Sequence, residues 1–533
     1  MNLRSRMGAG AVVAGLALTL GLSACGTPAD PATALGDGAS VISKADAEAS
    51  YKDVLNVGIA ANPPTLDVHG VNSNIVDGIG MHIYESLFSL DENYNPTPVL
   101  AESYDVSEDG KTYTIKLREG VKFHNGKTMD ADDVVASMNA WLARSSKAAL
   151  LKGAEFSRVD DATVRLVVPE ATGDIITQLA GPIQFAAIYP ASVVESAGEE
   201  GVTEFVGTGP YRLSDWKQDQ CVSLVRFEDY SQPEGDSSGL TGRKLAIADT
   251  LNFKVIPDET TRVAALQSGE IDVAEEVPLE RYEELSGDDR IKLSVQNGGT
   301  MNLFLNTSEG PLANADLRQA VLASLNMDDI MLAAYGDESL YSLDPSWSAL
   351  GDAQWDSKAG AELYNQNNEA KAKELMEKAG YNGQTLTIVA TPDYADMYAA
   401  SLVIQEQLRQ AGFNVELEES DFATFMERRA DPGQYDLFVT SNSYNPLPVQ
   451  LSVLNPTWAG LDAPEVTEGV AKIRAAETPE QAKAAWDELQ GFIYEHGAAT
   501  VLGHYTGLYA VGADVDGFDY LRYPFYWNAG VRA

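Results

Sequence analysis

The sequence predicts an α/β protein with more than one domain, and three observations support this. Its 533 residues exceed what one hydrophobic core usually organises, so two or three domains are expected. Residues 100–141 read as strand, turn, strand, turn and helix. Between residues 317 and 440, helical and strand patterns alternate, which favours parallel strands joined by right-handed crossovers.

Residues 100–141 carry the clearest local pattern. Tyr113, Ile115 and Leu117 alternate with polar residues, which predicts a strand with one buried face. Turns rich in glycine and asparagine flank this strand, and both residue types tolerate positive φ. Asp130 stands where it can cap the helix that follows. This stretch therefore predicts a compact β-β-α unit.

The same stretch closely resembles the signature of the family 5 extracytoplasmic solute-binding proteins, the peptide and nickel receptors of ABC importers. The matching segments are residues 100–103, 109–111, 117–126, 131–134, 62–67, 83–88, 207–211 and 256–273. The resemblance covers nearly all of residues 51–533. It implies a two-lobed, periplasmic-binding-protein-like α/β fold of type II, cluster C, with an additional subdomain.

The resemblance also implies how the body is divided. The first lobe is expected to be discontinuous, made of residues 51–95, 207–298 and 508–533. The additional subdomain is expected at residues 96–206 and the second lobe at residues 299–507. The chain would then cross between the lobes twice, near residues 300 and 507.

The N-terminal residues read as a targeting segment. Two arginines precede an apolar run over residues 7–20, and small residues then lead to Cys25. This order resembles the bacterial lipobox, which implies a signal peptide at residues 1–24 and a lipidated Cys25 that anchors the protein to the cell membrane. The alternative is an uncleaved transmembrane anchor, although the apolar run is short for a full span. Residues 25–50 are small, polar and aperiodic, so we expect a flexible tether.

The charge of the chain restricts its partners. It carries 37 basic and 79 acidic residues, a net charge of −42, with a hydrophobic content of 44% that is normal for a globular protein. Such a surface repels nucleic acid and anionic lipid. We expect a monomer that binds no nucleic acid and touches the membrane only through its lipid anchor.

Motifs of catalysis and metal binding are missing from the sequence. It has no Gly-x-Ser-x-Gly, His-Glu-x-x-His or Cys-x-x-Cys, and its five histidines lack zinc spacing. We therefore expect no catalytic residue, no metal and no cofactor. A secreted hydrolase with carboxylate catalysis stays open as an alternative, as does a signalling or chaperone-like receptor on the same fold.

The main candidate for ligand binding follows an apolar strand predicted at residues 435–440. In open α/β lobes, ligands bind outside the carboxyl ends of the parallel strands. The loop expected there offers Asn442, Ser443, Tyr444 and Asn445 as ligand-binding residues. The alternative is an ordinary polar turn.

This loop departs from the family pattern in a way that bears on the substrate. In peptide-binding relatives it carries a tryptophan and an aspartate, and the aspartate holds the ammonium terminus of the peptide. By spacing, these positions hold Val439 and Asn442 here. A charge-assisted bond is roughly twice as strong as the neutral bond that Asn442 could make. Either another carboxylate meets the ammonium group, or the ligand is not a plain free peptide.

Further candidates rest on the resemblance. His504 and Tyr505 come just before the chain leaves the second lobe, where relatives line the cleft. Trp458 could form a stacking wall, and Asn74, Tyr84 and Leu66 face the cleft only by analogy. His504 could instead be structural, and Trp458 could be a core residue.

Together these observations predict a substrate-binding lipoprotein of an ABC importer. It would capture an extracellular solute by lobe closure and deliver it to a membrane permease driven by cytoplasmic ATPases. A di- or oligopeptide is the leading substrate. An oligosaccharide, an opine-like conjugate and a metal chelate are the alternatives.

Overall fold

The computed structural model describes residue 44 and residues 49–198, 201–352, 354–476 and 478–533. The predicted signal peptide, the lipidation site Cys25 and nearly all of the predicted tether lie outside the described residues. Within the ranges described, no helix is both long enough and apolar enough to pass through a bilayer.

Within those ranges the chain forms 21 strands and 14 α-helices. The strands are β1 (Val54–Ile59), β2 (Phe88–Leu90), β3 (Pro96–Pro98), β4 (Ala101–Val106), β5 (Thr112–Leu117), β6 (Glu155–Asp160), β7 (Thr163–Val167), β8 (Tyr211–Lys217), β9 (Cys221–Arg226), β10 (Thr250–Val255) and β11 (Val273–Ala274). They continue with β12 (Ile291–Leu305), β13 (Tyr341–Ser342), β14 (Thr385–Ala390), β15 (Asn414–Glu419), β16 (Leu437–Ser443), β17 (Ala499–Gly512), β18 (Val515–Asp516), β19 (Asp519–Leu521), β20 (Tyr523–Phe525) and β21 (Gly530–Val531).

The helices fall mostly in the second half of the chain, where they alternate with strands. The first seven are α1 (Asn74–Ile83), α2 (Ala131–Arg144), α3 (Ile175–Ala180), α4 (Ala191–Ser196), α5 (Glu259–Ser268), α6 (Tyr282–Ser286) and α7 (Ala315–Ser324). The others are α8 (Met327–Tyr335), α9 (Glu369–Ala379), α10 (Ala395–Ala411), α11 (Phe422–Arg428), α12 (Pro456–Ala459), α13 (Pro464–Arg474) and α14 (Pro479–His496).

One mixed sheet runs through the whole body, in the order β15-β14-β16-β12-β17-β11-β1-β10-β9-β8, with β13 added alongside β17. Strand β14 pairs in parallel with β15 and β16, which confirms the parallel pairing predicted from the alternation of helices and strands. Strand β1 likewise pairs in parallel with β10 and β11. A separate antiparallel sheet, β4-β5-β7-β6, lies within the residues predicted to form the additional subdomain.

Two long antiparallel strands connect the halves of this sheet. Strand β12 has 15 residues and β17 has 14, and their register shifts at an irregularity between Asn297 and Gly299. A Cβ added at Gly298 would lie 2.5 Å from the Tyr505 ring, and one at Gly299 would lie 2.1 Å from the Asn442 carbonyl oxygen. Only glycine allows the backbones to approach this closely where the strands pass between the lobes.

The buried apolar residues form two clusters. One joins α1, α2 and the small sheet to the C-terminal strands, so the additional subdomain shares a core with the first lobe. The other gathers the helices of the second lobe around β12, β14 and β16, and it also includes apolar residues between Val263 and Val295. The lobe boundaries given above stay predictions.

Local side-chain chemistry accounts for the β-β-α unit. The Asp130 side chain accepts hydrogen bonds from the backbone N–H of Asp132 and of Asp133, and the Asp133 carboxylate accepts one from Asp130 N–H. This reciprocal capping box confirms the predicted helix start.

A histidine links two motifs that lie far apart in the sequence. The backbone N–H of Gly207 donates to His124 Nδ1 (3.2 Å), and His124 Nε2–H donates to the Gly209 carbonyl (3.0 Å). Burial lowers the pKa of His124 to about 4, so the ring is neutral at physiological pH and can both accept and donate. A Cβ at Gly207 would lie 2.1 Å from the Ile83 carbonyl oxygen, so this loop packs directly against the end of α1.

Candidate ligand-binding cleft

A cavity of about 210 Å³ lies where β12 and β17 pass between the lobes. Both lobes contribute to its walls. By the predicted boundaries, α1, the turn after β11, Tyr509 and the C-terminal strands come from the first lobe, and Ser443, Tyr505 and Gly507 come from the second. The cavity is therefore complete only when the two lobes face each other.

One face of α1 forms a wall of this cleft. Asn74, Ile75, Gly78 and Ile79 line it, at the spacing that places residues on one side of a helix. Behind this face Asp77 is fully buried, and burial raises the pKa of its carboxyl to about 7. This wall thus combines an amide and apolar groups at its surface with a carboxyl beneath.

Strand β17 supplies a second wall, because alternate residues of a strand point to the same side. Tyr505, Gly507 and Tyr509 line the cavity, while the residues between them are buried on the other face. The Tyr505 ring stacks on Tyr335 with their centroids 5.9 Å apart and their planes 10° apart. This packing holds Tyr505 in place from the second lobe, as preorganised binding requires.

The C-terminal strands add further aromatic groups. Tyr520 on β19 and Tyr523 on β20 line the cavity. The Tyr523 hydroxyl donates to Asp77 Oδ2 (3.3 Å). This bond joins the C-terminal segment to α1. The last strands therefore form the wall of the cavity together with α1.

Three charged residues of the first lobe also line the cavity: Glu275, Glu276 and Arg522. Glu276 has φ 51° and Arg522 has φ 68°, both in the left-handed region that side chains other than glycine rarely adopt. Such strained conformations cost about 1–3 kcal/mol each and cluster at functional sites. Two of them in one cavity mark it as the candidate site.

Glu275 has one hydrogen-bond donor beside it. The Tyr526 hydroxyl donates to Glu275 Oε1 at 2.6 Å. The protein surroundings exclude water from the Glu275 carboxyl and raise its pKa to about 7, even though Tyr526 stabilises the charged form. The protonation of this carboxyl therefore changes near neutral pH.

The predicted loop after β16 is corrected in part. Residues 441–443 belong to the strand itself, because β12 continues beside them and pairs Gly299 with Ser443 and Thr300 with Asn442. The end of a strand depends on its partner, and the local sequence does not show where that partner stops. The prediction that these three residues form a loop was wrong.

Asn442 lies on this strand, and its side-chain oxygen already accepts two hydrogen bonds. Asn442 Oδ1 accepts from Asn302 Nδ2 at 3.1 Å and from the Ser452 hydroxyl at 3.3 Å. A carbonyl oxygen has two lone pairs, so both are occupied. An ammonium group could use this oxygen only by displacing one of the two donors.

The predicted site residues separate into two groups. Asn74, Ser443 and Tyr505 line the cavity. Tyr444 and His504 instead contact each other, with the Tyr444 hydroxyl 2.5 Å from His504 Nδ1. His504 is buried, which lowers its pKa to about 4. The ligand-binding role of all five residues stays a prediction.

The remaining predicted residues lie away from the cavity lining. Asn445 Oδ1 accepts from Leu447 N–H (3.2 Å) and closes a turn. Trp458 packs 5.3 Å from the Phe304 ring, in the core of the second lobe. Leu66 is fully buried, and Tyr84 is buried in the first lobe. Asn445 thus has the contact of a turn residue, and Trp458, Leu66 and Tyr84 have those of packing residues.

Sequence reasoning missed the charged part of the site. Glu275, Glu276 and Arg522 follow short strands in segments that had been assigned only to the first lobe. Their sole local signal is two adjacent acids and a lone arginine, which occur by chance in an acidic chain of this size. The left-handed backbone at two of these residues is visible only in the structure.

Comparisons with known proteins agree with this architecture. The family model described as bacterial extracellular solute-binding proteins, family 5 Middle, matches residues 95–462. The probable peptide ABC transporter periplasmic-binding protein of Sinorhizobium fredii is 28% identical over 503 residues, covering 88% of this chain and 91% of that protein. The glutathione-binding protein of Escherichia coli strain K12 is 30% identical over 384 residues, covering 69% of this chain and 70% of that protein.

A solved structure extends the comparison to the fold. The structure of the PBP AgaA in complex with agropinic acid, from A.tumefacien R10, matches with a TM-score of 0.69 and 25% sequence identity. The match covers 90% of this chain and 99% of that one.

Proposed function

Since the chain belongs to the bacterial extracellular solute-binding proteins of family 5, we propose that it captures a short peptide in the cleft between its lobes. Family membership makes it the substrate-binding protein of an ABC importer, an extracytoplasmic receptor that works with a permease and ATPases. It is a transport receptor and not an enzyme. The family and the two-lobed α/β fold predicted from the sequence are confirmed.

The observation that carries the proposal is the composition of the cavity walls. First-lobe residues such as Arg522 and second-lobe residues such as Tyr505 line the same cavity of about 210 Å³. A solute held there gains its full set of contacts only in the closed form. It therefore shifts the population toward closure by its differential affinity for the two forms.

A peptide fits this site in chemistry and size. The names of the relatives include a peptide receptor and a receptor for glutathione. The absent aspartate at Asn442 no longer argues against a peptide, because Glu275 and Glu276 offer carboxylates to an ammonium terminus within the same cavity. Its volume lies below the roughly 300–1,000 Å³ of common ligand pockets, which favours two or three residues over a long peptide.

An opine-like conjugate is the second candidate. Such a molecule joins an amino acid to a carboxylated or sugar-derived chain, so it shares the charges of a peptide and adds hydroxyl groups. The likeness to the agropinic-acid complex, at 25% identity, favours it. The sequence also left an oligosaccharide and a metal chelate as alternatives, and no feature of the cavity favours either of them.

We also propose that Cys25 is acylated and anchors the receptor to the membrane. The support is the order of basic, apolar and small residues before Cys25. A Cys25→Ser variant expressed in a bacterial host should leave the membrane fraction and lose incorporation of labelled fatty acid. Unchanged membrane association of that variant would favour an uncleaved anchor instead.

The binding proposal is tested by native mass spectrometry of the purified receptor, followed by mild denaturation to release co-purified solute. Short peptides among the released masses would support the leading candidate. A single mass that contains a sugar-derived chain would favour the opine-like candidate. If the protein is empty, thermal shift with a library of dipeptides and tripeptides decides, since a ligand at a hundred times its Kd stabilises by about 2.7 kcal/mol.

A further inference from the structure

The guanidinium of Arg522 belongs to a half-buried arginine at the wall of the cleft. It lines the cavity and is half-buried, yet it forms no ion pair with any carboxylate in the described part of the chain. Its Nε is buried and lacks a hydrogen-bond partner among the described residues. The Tyr523 ring lies 5.5 Å away, and the positive charge of Arg522 partly offsets the burial that raises the pKa of the Asp77 carboxyl. Because the pKa of Asp77 is about 7, this carboxyl carries only part of a negative charge at neutral pH, so Arg522 keeps positive charge that an external anion can neutralise.

Two other arginines, the half-buried Arg144 and the fully buried Arg262, have partners inside the protein. Arg144 pairs with the buried Asp67 at 2.7 Å. Arg262 donates to the carbonyl oxygens of Glu275 (2.7 Å) and Glu276 (2.8 Å). Arg118 and Arg474 are also half-buried and form no ion pair within the described residues, but each donates to a backbone carbonyl, of Ser231 (2.6 Å) and of Leu150 (3.2 Å). Arg522 differs from these arginines because it lines the cavity.

Glu275 and Glu276 present the opposite charge in the same cavity. Neither forms an ion pair with a cation of the described residues, and only the Tyr526 hydroxyl donates to the Glu275 carboxylate. Their backbone is held from behind by Arg262, which stabilises the left-handed conformation of Glu276. This support fixes two adjacent acids at the wall of the cleft.

We propose that the cleft is built for a zwitterion, whose carboxylate binds Arg522 and whose ammonium group faces Glu275 and Glu276. This inference rests on the proposed function, because it assumes that the cavity is the solute site. A guanidinium presents several N–H donors in a planar fork that matches a carboxylate, and an ammonium group offers three donors to carboxylate oxygens. A neutral sugar or a purely anionic solute would leave one of the two charges unpaired.

The aromatic walls complete this assignment. Tyr505 and Tyr509 from β17 and Tyr520 from the C-terminal strands stand around the charged groups. Tyrosine rings offer apolar faces and hydroxyl groups at low conformational cost, so they suit the backbone and short side chains of a small peptide. Charge then fixes the orientation of the solute, while the walls tolerate different side chains.

The test uses the full-length receptor and a library of dipeptides and tripeptides in three forms: free, amidated at the carboxyl end, and acetylated at the amino end. N-carboxyalkyl amino acids, with the carboxylates free or esterified, are added as opine-like probes. Affinities are measured by titration calorimetry for the wild type, for Arg522→Gln and for Arg212→Gln. Arg212 is exposed on β8 of the first lobe, so it provides the matched loss of one positive charge.

The expected result is that free forms bind and that blocking either end weakens binding by about 10- to 100-fold, the usual effect of losing a charged hydrogen bond. Arg522→Gln should weaken the free forms to the same extent and leave the amidated forms nearly unchanged. Arg212→Gln should change neither. A purely structural role of Arg522 would weaken all forms equally, and a thermal unfolding curve checks that the variant is folded.

Two results would overturn the proposal in distinguishable ways. If amidated and acetylated forms bind as tightly as free ones, the zwitterion assignment is wrong while the receptor function stands. If no probe of any form binds, the peptide and opine-like functions fail, and this inference fails with them.

Discussion

We expect solute binding to weaken at acidic pH because the carboxyl of Glu275 becomes protonated. Its pKa in the free protein is raised to about 7 by the exclusion of water. If a solute ammonium group pairs with its charged form, the protonated fraction must ionise before it can bind. Affinity is then present above this pKa and is lost as the pH falls below it. About half of the receptor is ionised at pH 7 and about 3% at pH 5.5, so affinity should fall by about 15-fold.

Between pH 5.5 and 7, the pH dependence of binding comes from groups of the protein and not from the ligand. The α-amino group of a peptide has a pKa of about 7.7–8.0 and its carboxyl of about 3.3–3.7, so both stay largely charged between pH 5.5 and 7. The buried histidines His69, His124 and His504 have pKa values lowered to about 4 and do not titrate there. Among the groups near the cavity, Asp77 also has a pKa of about 7 and could contribute.

The assay compares three proteins by titration calorimetry with the tightest-binding free dipeptide of the library. Glu275→Gln keeps the shape and an oxygen that can accept from Tyr526, but it cannot ionise. It should bind about tenfold more weakly at pH 7 and change less than twofold down to pH 5.5. Glu280→Gln, at an exposed position of the first lobe, should keep the wild-type slope. If Glu275→Gln keeps that slope, Asp77 or the ligand is responsible and the reasoning about Glu275 is refuted.

Two further predictions concern the stability and closure of the body. Asp67→Asn breaks a buried pair with Arg144, so the free energy of unfolding in urea should fall by about 3–5 kcal/mol, whereas Glu488→Gln in an exposed pair should change it by less than about 1 kcal/mol. Equal effects would contradict the difference in burial. Gly173→Ala places a Cβ 2.4 Å from the Ala476 carbonyl oxygen, across the contact between the additional subdomain and the second lobe. Overpacking at this contact should cost about 1–3 kcal/mol, so we expect solute affinity to fall by about tenfold. Unchanged binding in calorimetry would disprove this.

The sequence predicted those features of the fold that depend on neighbouring residues. The capping box at Asp130 and the alternation of helices and strands are both set within a few residues, and both are confirmed. The extent of β16 was wrong because Ser443 is held in the strand by Gly299, 144 positions earlier in the chain (443 − 299). Pairing over such distances leaves no trace in the local pattern of apolar residues.

The candidate site was harder to predict because its charges come together only through topology. Glu275 follows a two-residue strand, and Arg522 separates two three-residue strands near the C-terminus. Both reach the cavity because β11 lies between β1 and β17 in the sheet and because the last strands pack against α1. Ser443 and Tyr505 were found by resemblance, since the family's loop and strand occupy corresponding positions in the second lobe.

The distribution of these groups between the lobes leads to an order of events in capture. The three unpaired charges belong to the predicted first lobe, while the second lobe contributes the hydroxyl groups of Ser443 and Tyr505. A zwitterion should therefore dock on the first lobe of the open form, where charge attraction acts over a distance of about 10 Å. Closure then adds the shorter-range contacts of the second lobe. It also excludes water from the charged groups, which strengthens their electrostatic interactions with the solute. The second-lobe contacts exist only in the closed form, so they supply the differential affinity that drives closure.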